Sequence, residues 1–128
     1  MDEKQIDELK GRELDSVIAV ELGIQVVRLD CGDYFANTIG GLKHYSTNIA
    51  AAWELDGAGW EWETYEDRFG LVIRVQHYNY AVYQDFFQRQ SAFVKWSDFP
   101  TKSAAYAIAR CRAWLKARAA LVSETQGE

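Results

Sequence analysis

The sequence is poor in several residue types, and each shortage excludes a class of protein. It has one proline, two cysteines and two histidines among 128 residues. Cys31 and Cys111 stand far apart with no histidine nearby, so the spacing supports neither a zinc site nor a cysteine nucleophile. No apolar run reaches membrane-spanning length, and the acidic N-terminus lacks the apolar core of a signal peptide. We therefore expect a cytoplasmic protein with reduced thiols and no membrane contact.

Sequence signatures of catalysis are missing as well. There is no G-x-S-x-G, no P-loop and no G-x-G-x-x-G motif. His77 falls on the apolar face of a predicted strand, where a hydrogen-bonded core histidine is more common than a catalytic base. His44 lies in a loop with Asp30 and Asp33 upstream, but this spacing matches no known site. We expect a binding protein rather than an enzyme, with neither a cofactor nor a metal.

Basic residues are fewer than acidic ones, and the two are unevenly distributed along the sequence. The net charge of −5 argues against binding of DNA or RNA polymers. Residues 1–69 carry six Lys/Arg against fifteen Asp/Glu, a net of −9, whereas residues 70–128 carry eight against four, a net of +4. The C-terminal cations could form an anion-binding patch, or they could pair with the acidic N-terminal helix. Both interpretations stay open from the sequence.

Apolar periodicity divides the chain into helices and strands. It predicts helices over 2–22 (weakened or broken at Gly11), 46–55 and 101–122, an extended segment over 24–30, a loop or hairpin over 31–45, strands over 60–66, 71–80, near Tyr83 and over 93–96, and a turn at 88–91. In the second helix, Ser46 or Thr47 is predicted as the N-cap, and Ile49 and Trp53 are predicted to dock the helix on the sheet.

These elements predict a single α+β domain over residues 1–128, in which 123–128 are a frayed tail. The antiparallel sheet is flanked by helices as an α-β-α sandwich, with the N- and C-terminal helices packed on it. In the last helix, an apolar stripe faces inward, and Lys102, Arg112 and Lys116 run along the exposed side.

Three segments carry a resemblance to a known family. They are "GRELD" (11–15), "YSTNIAAAW" (45–53) and "AIARCRAWL" (107–115), in this order along the chain. The pattern resembles the phage ABA-sandwich domain family, small proteins of bacteriophages and prophages. The long segment 24–43 and the stretch 79–92 depart from that pattern.

The resemblance also implies a function. The family is similar to the Thoeris anti-defence sponge proteins, which sequester a cyclic ADP-ribose-type immune signal or cyclic oligonucleotides without cleaving them. It implies a homo-oligomer that binds a nucleotide-derived signal near subunit interfaces. Two alternatives stay open, namely a phage protein that acts through a protein partner without a small-molecule site, and a phosphodiesterase that degrades the signal.

A nucleotide-type ligand requires cations for phosphate, aromatic faces for the base, and amides or hydroxyls for ribose. The cations of the last predicted helix fit this requirement, and so does the row of polar residues on the strand over 71–80 with the aromatic residues that follow it. The same residues would also be found on a solvent-exposed surface or in a subunit interface. The candidate ligand-binding residues are Arg74, Tyr78, Asn79, Phe86, Phe87, Arg110, Arg112 and Lys116. Tyr45 and Asn48 would join them only if they point away from the core.

Overall fold

The computed structural model describes residues 2–55, 60–78 and 87–126, with all side chains in these ranges except 77–78, 87–89 and 121–126. Its elements are α1 (Glu3–Glu8), α2 (Gly11–Glu21), β1 (Val26–Arg28), β2 (Tyr34–Ala36), α3 (Ile49–Trp53), β3 (Trp60–Glu66), β4 (Gly70–Tyr78), β5 (Phe87–Lys95), a 3-10 turn (Trp96–Asp98) and α4 (Lys102–Gln126). The predicted α+β class is confirmed. No helix in the described ranges is both long and apolar enough to cross a membrane.

The first predicted helix is divided into α1 and α2. Asp2 caps α1 with its side chain, in a reciprocal capping box with Gln5. Leu9 leaves the helical conformation, and Gly11 restarts the chain at a φ of +61°, a region that favours glycine. The break suggested by Gly11 is therefore confirmed.

A small antiparallel hairpin follows α2. Its strands β1 and β2 pair Val27 with Phe35, and their inner face packs through Ala36 on Ala19 of α2 and on Leu42. The hairpin alternative predicted for this stretch is confirmed.

The larger sheet has the strand order β3-β4-β5, antiparallel throughout. Leu71, Ile73 and Val75 point from β4 into the core, as the period of two predicts. The predicted bounds of β3 are confirmed. The turn predicted at 88–91 is wrong, because β5 continues through it in register with β4.

Helix α4 lies at the centre of the fold. It packs on β4 and β5 on one side, and on α3, α1 and α2 on the other. Its residues from Ala105 to Ala117 are therefore buried on nearly every face. The predicted exposed side of this helix is wrong for Lys116, whose exposed fraction is 7%.

Helix α3 is shorter than predicted and has a different cap. Asn48 is the N-cap, and its Oδ1 accepts from the backbone N–H groups of Ala50 (2.9 Å) and Ala51 (3.3 Å). The prediction of Ser46 or Thr47 as the cap is therefore wrong. Docking by Ile49 and Trp53 is also wrong, because both are exposed while Ala52 is buried.

Candidate functional site

The three sequence motifs meet in the core. The backbone N–H of Ser46 donates a hydrogen bond to Oδ1 of Asp15 over 2.7 Å. The Oγ hydroxyl of Ser46 donates to the carbonyl of Gly11 over 3.1 Å. From the other side, Sγ of Cys111 donates to the carbonyl of Tyr45 over 3.2 Å. The polar residues of these motifs thus fix the segment that leads into α3, and their role here is to build the scaffold.

Arg12 extends the same network to the loop before Tyr45. Its Nη1 lies 3.0 Å from Oδ2 of Asp15, and its Nη2 donates to the carbonyl of Leu42 over 2.9 Å. Nη1 also lies 3.1 Å from Nδ1 of His44. Because a guanidinium has only donors, this contact requires His44 to accept at Nδ1.

Tyr45 and Asn48 both have roles in the scaffold. Tyr45 is buried in the core, and this burial raises the pKa of its hydroxyl. Asn48 uses its side-chain oxygen to cap α3.

Arg110 is buried between two indole rings. Its guanidinium carbon lies 4.3 Å from the ring centroid of Trp53 and 3.7 Å from that of Trp62. In the plane of the guanidinium, Nε donates to the carbonyl of Ala52 (3.1 Å) and Nη2 to that of Leu55 (2.9 Å). Arg110 therefore ties the C-terminal end of α3 to α4, and its exposed fraction is 5%.

Tyr106 continues this aromatic row along α4. Its ring centroid lies 6.5 Å from that of Trp53 and 6.2 Å from that of Trp96, and its hydroxyl donates to the carboxylate of Glu66. Burial, followed by this hydrogen bond, raises the pKa of Tyr106 to about 12. The folded protein therefore favours the neutral form of Tyr106.

We expect Tyr106→Phe to change stability at alkaline pH. Because the folded state holds the pKa of Tyr106 at about 12 against 10.0 for an ordinary tyrosine, the unfolded chain loses this proton first. Stability from this group is therefore complete below pH 10 and is lost as the pH rises towards 12. Urea titrations across this range should show a shallower decline for Tyr106→Phe than for wild type. Tyr34→Phe serves as the control, and an unchanged slope in Tyr106→Phe would contradict the linkage.

The remaining predicted cations of α4 have partners within the fold. Arg112 donates through Nε and Nη2 to the carbonyl of Leu9, over 3.2 and 3.0 Å. Lys116 donates to the carbonyl of Ser91 over 2.9 Å and lies 2.7 Å from the carboxylate of Asp7. The alternative in which C-terminal cations pair with the acidic N-terminal helix therefore describes Lys116, and also Arg118, whose Nε lies 3.7 Å from the carboxylate of Glu21.

A groove opens beside Arg112, between α1, α4 and the outer edge of β5. It encloses about 450 Å³. Three basic, two acidic and four apolar residues line it: Lys10, Lys95 and Arg112; Asp7 and Asp98; Phe93, Val94, Phe99 and Ile108. Three separate parts of the chain thus contribute basic residues to one concave surface. The ring of Phe93 itself lies over Gly70, on the sheet face that points away from α4.

The electrostatics of this groove favour an anion moderately. Its three cations outnumber its two carboxylates by one. Burial lowers the pKa of Arg112, while Asp7 acts in the opposite direction. An arginine stays charged in proteins, so Arg112 is a permanent cation at the inner wall.

Arg74 lies elsewhere, on the sheet face that points away from α4. Its guanidinium carbon is 5.3 Å from the ring centroid of Tyr65, and Nη1 is 3.8 Å from the carboxylate of Glu63. Beside it, Gln76 donates to Glu61 over 2.8 Å. Two members of the polar row predicted on β4, Arg74 and Gln76, thus both contact side chains of β3.

The predicted site residues are not all brought together. Arg74, Arg110 and Arg112 occupy three different surroundings, and only Arg112 lines the groove. Tyr78 and Phe87 pair in the β4–β5 register, and their side chains lie outside the described part. Asn79 and Phe86 lie outside the described residues.

Sequence reasoning missed most of the groove. Lys10 follows α1, Lys95 ends β5 and Phe99 follows the 3-10 turn, so no local pattern connects them. Phe93 carried a weak signal, since it is an apolar residue on the outward side of an edge strand.

Similarity to known proteins does not identify a site in this chain. The chain matches no family model, no curated protein and no solved structure. In the described ranges, no group of three or more His, Cys, Asp or Glu side chains could hold a metal ion. Function is therefore inferred from the chemistry of the groove and from the motif resemblance.

Proposed function

We propose that this protein binds a nucleotide-derived anion in the groove beside Arg112 and holds it without cleaving it. The observation that carries this proposal is the convergence of Lys10, Lys95 and Arg112 with Phe99 around one cavity. Charged donors form strong hydrogen bonds to phosphate, and aromatic faces accept stacked bases. The groove therefore offers both halves of a nucleotide a suitable partner.

The size of the cavity supports a small molecule. Its volume of about 450 Å³ falls within the range of roughly 300–1,000 Å³ that is typical of ligand pockets. Asp7 and Asp98 can accept hydrogen bonds from ribose hydroxyls or base amino groups. The net charge of −5 works against long-range attraction of a nucleic-acid polymer.

The biological role follows from the motif resemblance. On this basis the protein is a phage-encoded anti-defence sponge, acting in the cytoplasm of the bacterial host as a homo-oligomer. Its ligand is a cyclic ADP-ribose-type signal or a cyclic oligonucleotide. Arg112, the predicted ligand residue at the groove, connects this role to the cavity.

Direct binding measurements test the proposal. Isothermal titration calorimetry with cyclic ADP-ribose isomers and cyclic dinucleotides should detect binding of at least one of them. Heating the complex should then release the ligand intact. A hydrolysis product formed with turnover would contradict sequestration, and no heat of binding with any of these ligands would refute the proposal.

Lys95→Ala should weaken binding of the ligand found in this way by about tenfold. Lys95 is exposed and lines the groove. One charge-assisted hydrogen bond is worth roughly 1.5 kcal/mol or more. Lys102→Ala is the matched control, because this exposed lysine lies over Trp96 outside the groove. Titration of both variants should separate them, and equal weakening would place the ligand elsewhere.

A further inference from the structure

The outer face of the β1–β2 hairpin exposes apolar side chains. Val27 and Phe35 are directly opposite each other, with exposed fractions of 56% and 58%, and the exposed Leu29 directly follows β1. Isolated two-stranded sheets are marginally stable, and uncovered strand edges attract further strands. This hairpin therefore has both an apolar face and an edge available for pairing.

Backbone hydrogen bonds at both ends of the hairpin establish which groups face the edge. Leu29 N–H donates to the carbonyl of Asp33 over 2.7 Å, and Asn37 N–H donates to that of Gln25 over 2.9 Å. Hydrogen-bonded pairs alternate along an antiparallel ladder, so Val27 also bonds to β2.

The residues on either side of Val27 consequently point the other way. The N–H and C=O groups of Val26 and Arg28 are directed away from β2, at the open edge of β1. In the described part of the chain, β1 pairs with β2 alone. Two donors and two acceptors thus stand symmetrically about Val27.

We propose that β1 pairs antiparallel with β1 of a second copy of this chain, around a twofold axis at Val27. Val26 of each copy then meets Arg28 of the other, which joins the two hairpins into one four-stranded sheet. The two Val27 residues form a non-hydrogen-bonded pair, with Cα atoms about 4.5 Å apart. Flanked by Phe35 on either side, they complete a row of four apolar side chains across the sheet.

A second copy is the occupant that this geometry favours. An isologous contact pairs each residue with its counterpart, and the symmetric donors and acceptors about Val27 meet that condition. At the other sheet, Lys116 donates to the carbonyl of Ser91 on β5, so that edge is partly engaged. The pairing gives the proposed homo-oligomer a surface distinct from the groove, so dimerisation and ligand binding can be tested separately.

A charge-swap experiment at Val27 tests the proposal. Wild type should show a concentration-dependent dimer in sedimentation equilibrium. Val27→Lys and Val27→Glu should each be monomeric, because like charges would be directly opposite each other. Mixing these two variants should restore a dimer, since Lys then faces Glu. Ile39→Lys is the control, because it places the same charge at a fully exposed apolar residue outside β1.

A second measurement uses the two cysteines. Cys31 is exposed at the tip of the hairpin, whereas Cys111 is fully buried, and burial raises the pKa of its thiol. A thiol-reactive fluorophore should therefore label Cys31, and energy transfer between labelled copies should vanish in Val27→Lys. A monomeric wild type, or a dimer that persists in both charged variants, would overturn the proposal.

Discussion

Replacement of Asp15 by alanine is expected to lower the free energy of unfolding by about 2–3 kcal/mol. Asp15 is 1% exposed, and it accepts from the backbone of Ser46 and from Arg12. Without Asp15, the buried N–H of Ser46 has lost this acceptor, so the cost of removing that N–H from water is no longer offset by a hydrogen bond. Arg12 is 37% exposed, so the lost ion pair itself contributes little because water screens it.

Denaturant titrations compare this variant with Asp30→Ala, which removes the same charge from an exposed loop. The control should stay within about 0.5 kcal/mol of wild type. If both variants behaved alike, the network that joins the first two motifs would not support the fold.

Arg110→Ala is expected to lower the free energy of unfolding by about 3 kcal/mol, and Arg110→Lys by nearly as much. The guanidinium plane stacks between Trp53 and Trp62 while its edge donates to two carbonyls at the end of α3. A lysine keeps the charge but has neither the planar face nor the fork. The carbonyl of Leu55 would therefore lose this donor in both variants.

Thermal unfolding followed by tryptophan fluorescence measures this effect. Arg118→Ala is the control on the same helix, where a half-exposed ion pair with Glu21 should contribute at most about 1 kcal/mol. Rescue of stability by Arg110→Lys would show that charge alone matters, and would contradict the stacked arrangement.

Much of the fold could be predicted because its signals are local. The alternation of 60–66 predicts β3 with its observed bounds, and the pattern of 71–80 predicts the buried face of β4. Gly11 signals the helix break through its backbone freedom. Each of these features depends on neighbours within a few residues.

The surroundings of α4 could not be predicted in the same way. Periodicity suggests one apolar stripe, but small residues such as Ala105, Ala109 and Ala113 let neighbours approach on several sides. The buried cations Arg110 and Lys116 donate to carbonyls that lie far away in sequence. A local sequence pattern does not identify partners that are distant in sequence. For the same reason it does not predict the groove.

The central position of α4 has a consequence for synthesis. Its residues follow, along the sequence, every element that packs on them. During translation the apolar faces of β4, β5 and α1 have no partner until α4 has been made. We therefore expect the ribosome-bound chain to stay open and dependent on protection from aggregation until α4 has left the ribosome, with folding completed in one late step.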